Sequence, residues 1–179
     1  MKLGFIGCGN MANAMIAGII GNGICKAEEI IGTAKSEASR VRVNKEFGIY
    51  MTEDNKEAAE KADVIVLSVK PQFYEEVICE IKDVMKDNQI VVTIAPGKTL
   101  AWLEEKFGKQ VKLVRTMPNT PAMVQEGMTG VCKNTYVTES EMERVCDILR
   151  GFGEVEIIPE RLIDAVVTVS GSSPAYVFM

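Results

Sequence analysis

Along the chain the apolar positions switch between two patterns: short continuous runs, and longer stretches in which they recur every three or four residues. Residues 63–69 (Asp-Val-Ile-Val-Leu-Ser-Val) form the clearest run and predict a parallel strand covered on both faces. Comparable runs predict strands at 2–6, 30–33, 49–52 and 90–95, with weaker ones at 113–116, 130–132 and 155–158. Helical spacing fills the gaps at 11–20, 36–47, 55–61, 72–85, 100–107 and 140–152. In 72–85 the expected core face is Phe73, Val77, Ile81 and Val84, and from Arg161 onward Leu162, Ile163, Val166 and Val169 predict a further helix. Strand–helix alternation with short connections predicts an α/β fold, a doubly wound and mostly parallel sheet with right-handed crossovers. The apolar segment ending at Met179 has neither a C-cap nor a polar tail, so a chain cut short is expected.

Composition narrows the chemistry. The 179 residues are 47% hydrophobic and 25% charged, which fits a globular domain and rules out general disorder. Lys plus Arg number 20 against 25 Asp plus Glu, and a net charge of −5 argues against nucleic acid or an anionic membrane as partner. Histidine is absent, which removes Ser-His-Asp triads, Cys-His pairs and imidazole-ligated metals; no metal site is expected. The five cysteines are scattered without a C-x-x-C spacing, as in a reducing cytoplasm. No run reaches the ~20 apolar residues of a membrane span, and polar and glycine residues interrupt the N-terminal stretch too often for a signal peptide.

Gly7-Cys8-Gly9-Asn10-Met11-Ala12 is G-x-G-x-x-A, directly after a predicted strand and opening a predicted helix. Gly7 permits the tight turn, Gly9 lets the backbone approach a diphosphate, and Ala12 allows close helix–strand packing. The helix start then offers N–H groups to the phosphates. Dinucleotide-binding units carry a discriminating residue about 20 residues further on, and an acid there selects NAD. Here Thr33-Ala34-Lys35-Ser36 stands at that place, with Arg40 one helical turn later. A hydroxyl, a cation and a fresh helix start suit a 2′-phosphate, so NADP(H) is preferred and NAD(H) remains possible.

Two more loops follow strand ends, where ligands lie in such sheets. Val69-Lys70-Pro71-Gln72 has a stiff turn, and Ala95-Pro96-Gly97 is small enough for a nicotinamide ring to approach. Asn55 follows Asp54 and suits capping of its short helix, a role compatible with a bond to the adenosine ribose. Arg115-Thr116-Met117-Pro118-Asn119-Thr120-Pro121 is the least generic stretch. The residues leave two readings open there: a good loop, or a grip on a carboxamide or small polar substrate.

Four segments together closely resemble the pyrroline-5-carboxylate reductase family, and the resemblance runs over the whole chain. They are Gly-Phe-Ile-Gly-Cys-Gly-Asn-Met-Ala (4–12), Val-Lys-Pro-Gln (69–72), Arg-Thr-Met-Pro-Asn-Thr-Pro-Ala (115–122) and Ser-Gly-Ser-Ser-Pro-Ala-Tyr (170–176). The resemblance implies NAD(P)H-dependent reduction of 1-pyrroline-5-carboxylate to L-proline, the last step of proline biosynthesis. It implies a Rossmann-type NADP-binding domain over 1–160, and in 161–179 the first helix of a helical domain that dimerises, so that a homo-oligomer is expected. By position, the family's dinucleotide loop falls on Ile6, Gly7, Cys8, Gly9, Asn10, Met11 and Ala12, and its 2′-phosphate region on Ala34, Lys35 and Ser36. The ribose contact falls on Asn55, the nicotinamide-side loops on Ser68, Val69, Lys70, Pro71, Ile94, Ala95 and Pro96, and the adjoining turn on Met117, Pro118 and Asn119. Asn119, Ser172 and Ser173 are the substrate-side candidates.

The sequence departs from the family at Ser173, where glycine is usual, and at Pro96, where a small residue is more common. The family's Pro-Gly-Gly-Thr-Thr-like motif, with its functional threonine, has no counterpart here. Binding of coenzyme with little or no imine turnover is therefore expected of these residues alone. Hydride addition to a protonated imine needs orientation more than acid catalysis, which suits a site without histidine. The competing expectations are a β-hydroxyacid dehydrogenase-type reductase and a non-catalytic NADP(H)-sensing module.

Overall fold

A computed structural model describes residues 1–171 of the chain. Eight strands form its sheet: β1 (Leu3–Ile6), β2 (Ile30–Thr33), β3 (Tyr50–Thr52), β4 (Val64–Leu67), β5 (Ile90–Thr93), β6 (Lys112–Met117), β7 (Gly127–Lys133) and β8 (Gly153–Ile157). Their order is β3-β2-β1-β4-β5-β6-β7-β8, and every neighbouring pair is parallel except β6 with β7. Strands β1, β4 and β5 are buried along their whole length, which is why they read as unbroken apolar runs.

Successive residues of these strands feed two cores, one on each side of the sheet. Leu3, Phe5, Val64, Val66 and Val92 face α1 (Asn10–Gly21), α2 (Glu37–Phe47) and α6 (Glu139–Leu149). Ile6, Ile65, Leu67 and Val91 face α3 (Asn55–Lys61), α4 (Tyr74–Ile81), α5 (Leu100–Phe107) and α7 (Ile163–Val166). The connection from β6 to β7 holds only a 3₁₀ turn, Thr120–Val124. Too short for a helical crossover, it returns the chain antiparallel. The doubly wound, mostly parallel α/β sheet predicted from periodicity is the observed one.

Several boundaries differ from expectation. The helix expected over 72–85 is a 3₁₀ turn, Pro71–Phe73, followed by α4 alone. Phe73 is 40% exposed, and the buried face is Tyr74, Val77, Ile78 and Ile81. Pro71, lacking an N–H, opens a tight turn and shifts the helical register past Phe73. Strand β7 begins at Gly127 rather than at residue 130, and the last turn of the 140–152 helix is 3₁₀ at Arg150–Phe152. Beyond Arg161 a 3₁₀ turn, Glu160–Leu162, leads into α7 and then a π-helical turn, Val167–Gly171. Of the four apolar positions expected to face the core there, Ile163 is buried while Leu162 and Val169 are exposed.

Candidate functional site

Strands β1 and β4 lie side by side, yet the chain leaves them toward opposite edges of the sheet. In such sheets the crevice for a ligand opens at that switch point, outside the strands' carboxyl ends. The loops that follow β1, β2, β4, β5 and β6 all leave from this end, so the structure brings the candidate segments to one edge.

The turn after β1 is built around two glycines with different tasks. Gly7 has φ +94°, and a Cβ there would stand 2.6 Å from Val69 Cγ1. Gly9 is extended, and a Cβ on it would meet nothing within 4 Å. Among the described residues nothing makes a side chain costly at Gly9. No side chain of the described residues caps α1, and its first turn holds no acid, so none of them competes for its leading amides. Asn10 is exposed at the mouth, Met11 half-buried, and Ala12 buried against the sheet. Cys8 lies beneath the turn, its thiol pushed up to about 12 by burial. Ser68 fastens the turn to the end of β4 by donating its hydroxyl toward the Gly7 and Ile6 carbonyls (2.8 and 3.2 Å).

At the end of β2, buried Thr33 accepts the Gly7 N–H through its hydroxyl oxygen (3.0 Å) and donates to Asn55 Oδ1 (2.8 Å). Asn55 in turn donates from Nδ2 to Glu80 Oε2 (2.8 Å). Asn55 does not cap α3, contrary to expectation. Asp54 does so, accepting the Lys56 N–H, because the cap residue stands one position before the first helical one. Ser36 caps α2, accepting the Ser39 N–H. Lys35 extends into solvent, with Nζ 3.4 Å from Glu76 and over the Phe73 ring. Arg40 does not present a free cation. It donates to the Ala34 and Lys35 carbonyls (2.9 and 3.0 Å) and pairs with Glu53, bracing the loop that carries Lys35.

On the other side of the switch point, Val69 packs on Gly7, and Lys70 is exposed before Pro71 starts its turn. The Tyr74 hydroxyl donates to the Leu67 carbonyl (2.6 Å) and stands 2.9 Å from Thr93 Oγ1, joining the ends of β4 and β5; burial pushes it up to about 12. After β5, Ile94 is half-buried, Ala95 buried and Pro96 exposed. At the end of β6, Met117 is half-buried; Pro118, the next residue, is buried, while Asn119 uses both ends of its amide. It donates to Ser170 Oγ (2.8 Å) and accepts the Met128 N–H (2.9 Å). Ser172 and Ser173 lie outside the described residues.

The residues fit a dinucleotide. A glycine open to the crevice, an uncapped helix start and a lysine-bearing loop at the end of β2 are complementary to a diphosphate and a 2′-phosphate. Sequence reasoning missed three supports. Thr33 and Glu80 hold Asn55, and fully buried Arg115 pairs with Glu160 (3.1 Å) and Asp164 (2.6 Å), tying the start of α7 to β6. An arginine between Val114 and Thr116, within the strand expected over 113–116, was the available signal for the last.

A family model described as NADP oxidoreductase, coenzyme F420-dependent, matches residues 2–97. The chain is 44% identical to a pyrroline-5-carboxylate reductase of Escherichia coli strain K12 across 99% of its own length and 66% of that protein's. It is 34% identical to a pyrroline-5-carboxylate reductase 2 of Bacillus subtilis, over 99% of this chain and 64% of the relative. The solved pyrroline-5-carboxylate reductase of Coxiella burnetii superposes with a TM-score of 0.94 at 36% identity, over 99% of this chain and 66% of that one. The Plasmodium falciparum pyrroline carboxylate reductase, solved with NADP bound, gives 0.89 at 33% identity, over 99% and 65%. The chain thus spans 64–66% of the length of these relatives. With its sheet order, its glycine turn and these matches in agreement, the chain belongs to the NADP oxidoreductase, coenzyme F420-dependent family and is a relative of the pyrroline-5-carboxylate reductases.

Proposed function

We propose that this chain binds NADP(H) along the carboxyl edge of its sheet and that its protein reduces 1-pyrroline-5-carboxylate to L-proline. The observation that carries the coenzyme half is the pairing of Gly9, whose missing Cβ faces open space, with the uncapped start of α1. Supporting the substrate half is 44% identity to the Escherichia coli pyrroline-5-carboxylate reductase over 99% of the chain.

In this reading the α1 amides hold the diphosphate, Lys35 and Ser36 meet the 2′-phosphate, and Asn55 meets the adenosine ribose. Ser68, Val69, Lys70 and Pro71, with Ile94, Ala95 and Pro96, line the nicotinamide side, where small, buried Ala95 leaves room for a flat ring. Met117, Pro118 and Asn119 close that side. When bound, NADPH would supply the hydride to the carbon of the protonated imine, whose C=N π pair becomes the lone pair of a secondary amine that stays in the ring. The chain's task is orientation and exclusion of water, and no side-chain acid is required of it. The exposed apolar residues Met128, Ile157, Leu162 and Val169 suit burial in a homo-oligomer. Five unpaired cysteines suit the cytoplasm, and no helix among the described residues is long and apolar enough to cross a membrane.

Titration calorimetry of the 179-residue chain with NADPH and NADH tests the coenzyme half, and an imine-reduction assay tests the substrate half separately. Lys35→Asp is expected to weaken NADPH about 10-fold while leaving NADH within about 2-fold. Absence of heat from either coenzyme overturns the reading.

A further inference from the structure

Three hydrogen bonds link the glycine turn to a carboxylate on another element. The Gly7 N–H donates to Thr33 Oγ1, the Thr33 hydroxyl donates to Asn55 Oδ1, and the Asn55 amide donates to Glu80 Oε2. Every donation runs the same way, from the turn through β2 and α3 to α4. Each inner member can be turned around. A hydroxyl both donates and accepts, and a carboxamide can exchange its oxygen and nitrogen by flipping. The two ends cannot be turned around, because a backbone N–H only donates and an ionised carboxylate only accepts. Glu80 therefore fixes the direction of the two links nearer to it, while the Gly7 N–H fixes its own. With Asn55 Nδ2 held on Glu80, its Oδ1 must face Thr33, the Thr33 proton must point at Asn55, and a Thr33 lone pair must face Gly7.

Resting on the reading that this turn carries a diphosphate, we propose that Glu80 is a positioning residue for the coenzyme. Its charge sets the polarity of the Thr33–Asn55 pair and so holds Gly7, at φ +94°, in the conformation that aims the α1 amides. Glu80 sits on α4 and reaches the turn only through Asn55 and Thr33. Replacing it by glutamine keeps the size and removes the direction: the new amide can donate, Asn55 can flip, and Thr33 can turn its proton away from the asparagine.

The test joins a coenzyme-independent readout to a double-mutant cycle. In the coenzyme-free chain, amide exchange at Gly7 is expected to speed up at least about 5-fold in both Glu80→Gln and Thr33→Val. Each substitution should weaken NADPH about 10-fold, and the double variant should also lose about 10-fold rather than the roughly 100-fold of independent sites. Thr33→Ser, which keeps the hydroxyl, should stay within about 2-fold of the parent and guards against a variant that merely unfolds. Unchanged Gly7 exchange in Glu80→Gln, or losses that multiply in the double variant, overturn the inference. Should the parent chain bind no coenzyme, the diphosphate reading fails by itself, while Gly7 exchange still decides whether Glu80 governs the turn.

Discussion

The turn after β1 and the turn after β6 share one edge of the sheet, and both are rich in hydrogen-bonding groups. They use them in opposite ways. After β1 the groups that face outward are main-chain amides at an uncapped helix start, and Gly9 keeps a side chain out of their path. After β6 the conspicuous group is the Asn119 amide, and it is engaged at both ends within the chain, by Met128 and by Ser170. In the proposed reading the grip on the diphosphate therefore comes from the plainer of the two sequences. The more distinctive one, Met-Pro-Asn-Thr-Pro, joins β7 and the 160–171 segment to the sheet.

The contrast can be broken most sharply at the glycines. Gly7→Ala places a Cβ against Val69 in a left-handed conformation, at a cost of about 3 kcal/mol in stability, read by denaturant unfolding. Gly9→Ala meets no atom of the described residues, so stability should stay within about 1 kcal/mol while NADPH affinity falls about 100-fold by calorimetry. Equal effects on folding and binding at both positions would erase the distinction between them.

Asn119→Ala probes the second turn. It strands the Met128 N–H and releases Ser170, which should cost about 1–2 kcal/mol, with NADPH affinity changed less than about 3-fold. The reverse pattern, full stability with lost binding, would make Asn119 a ligand rather than a fastening.

How much of this was readable beforehand follows from what each signal depends on. The strand over Val64–Leu67 was legible because burial on both faces leaves only apolar residues. The helix Leu100–Phe107 was legible because Thr99 and Gly108 mark its two ends. The glycine turn was legible because its conformation demands the residue. Hydrogen-bond partners were not, since Glu80 and Asn55 lie 25 positions apart and meet only when α3 and α4 pack together. Arg40 misled for a local reason: a cation looks available until the carbonyls of its own loop close on it.

The smallest expected effect lies far from both turns and calibrates them. Lys112 and the Thr138 N–H hold the Glu141 carboxyl at about 2, against an ordinary 4.5. Its contribution is complete above pH 4.5 and is lost as the pH falls toward 2. Glu141→Gln should therefore melt about 2 °C lower at neutral pH, with the gap closing in acid and coenzyme affinity unaltered.

The sheet order also constrains how the molecule assembles. Leu3 takes Val64 as its partner on one side and Ile30 on the other, so the first strand stays half-paired until the fourth exists. A long loop must close before that pairing is rewarded, which places the chain among slower-folding topologies. During synthesis β1 must wait for a neighbour made much later. The same closure that delays folding creates the crevice, because the strand with one early and one late partner is the one from which the glycine turn departs.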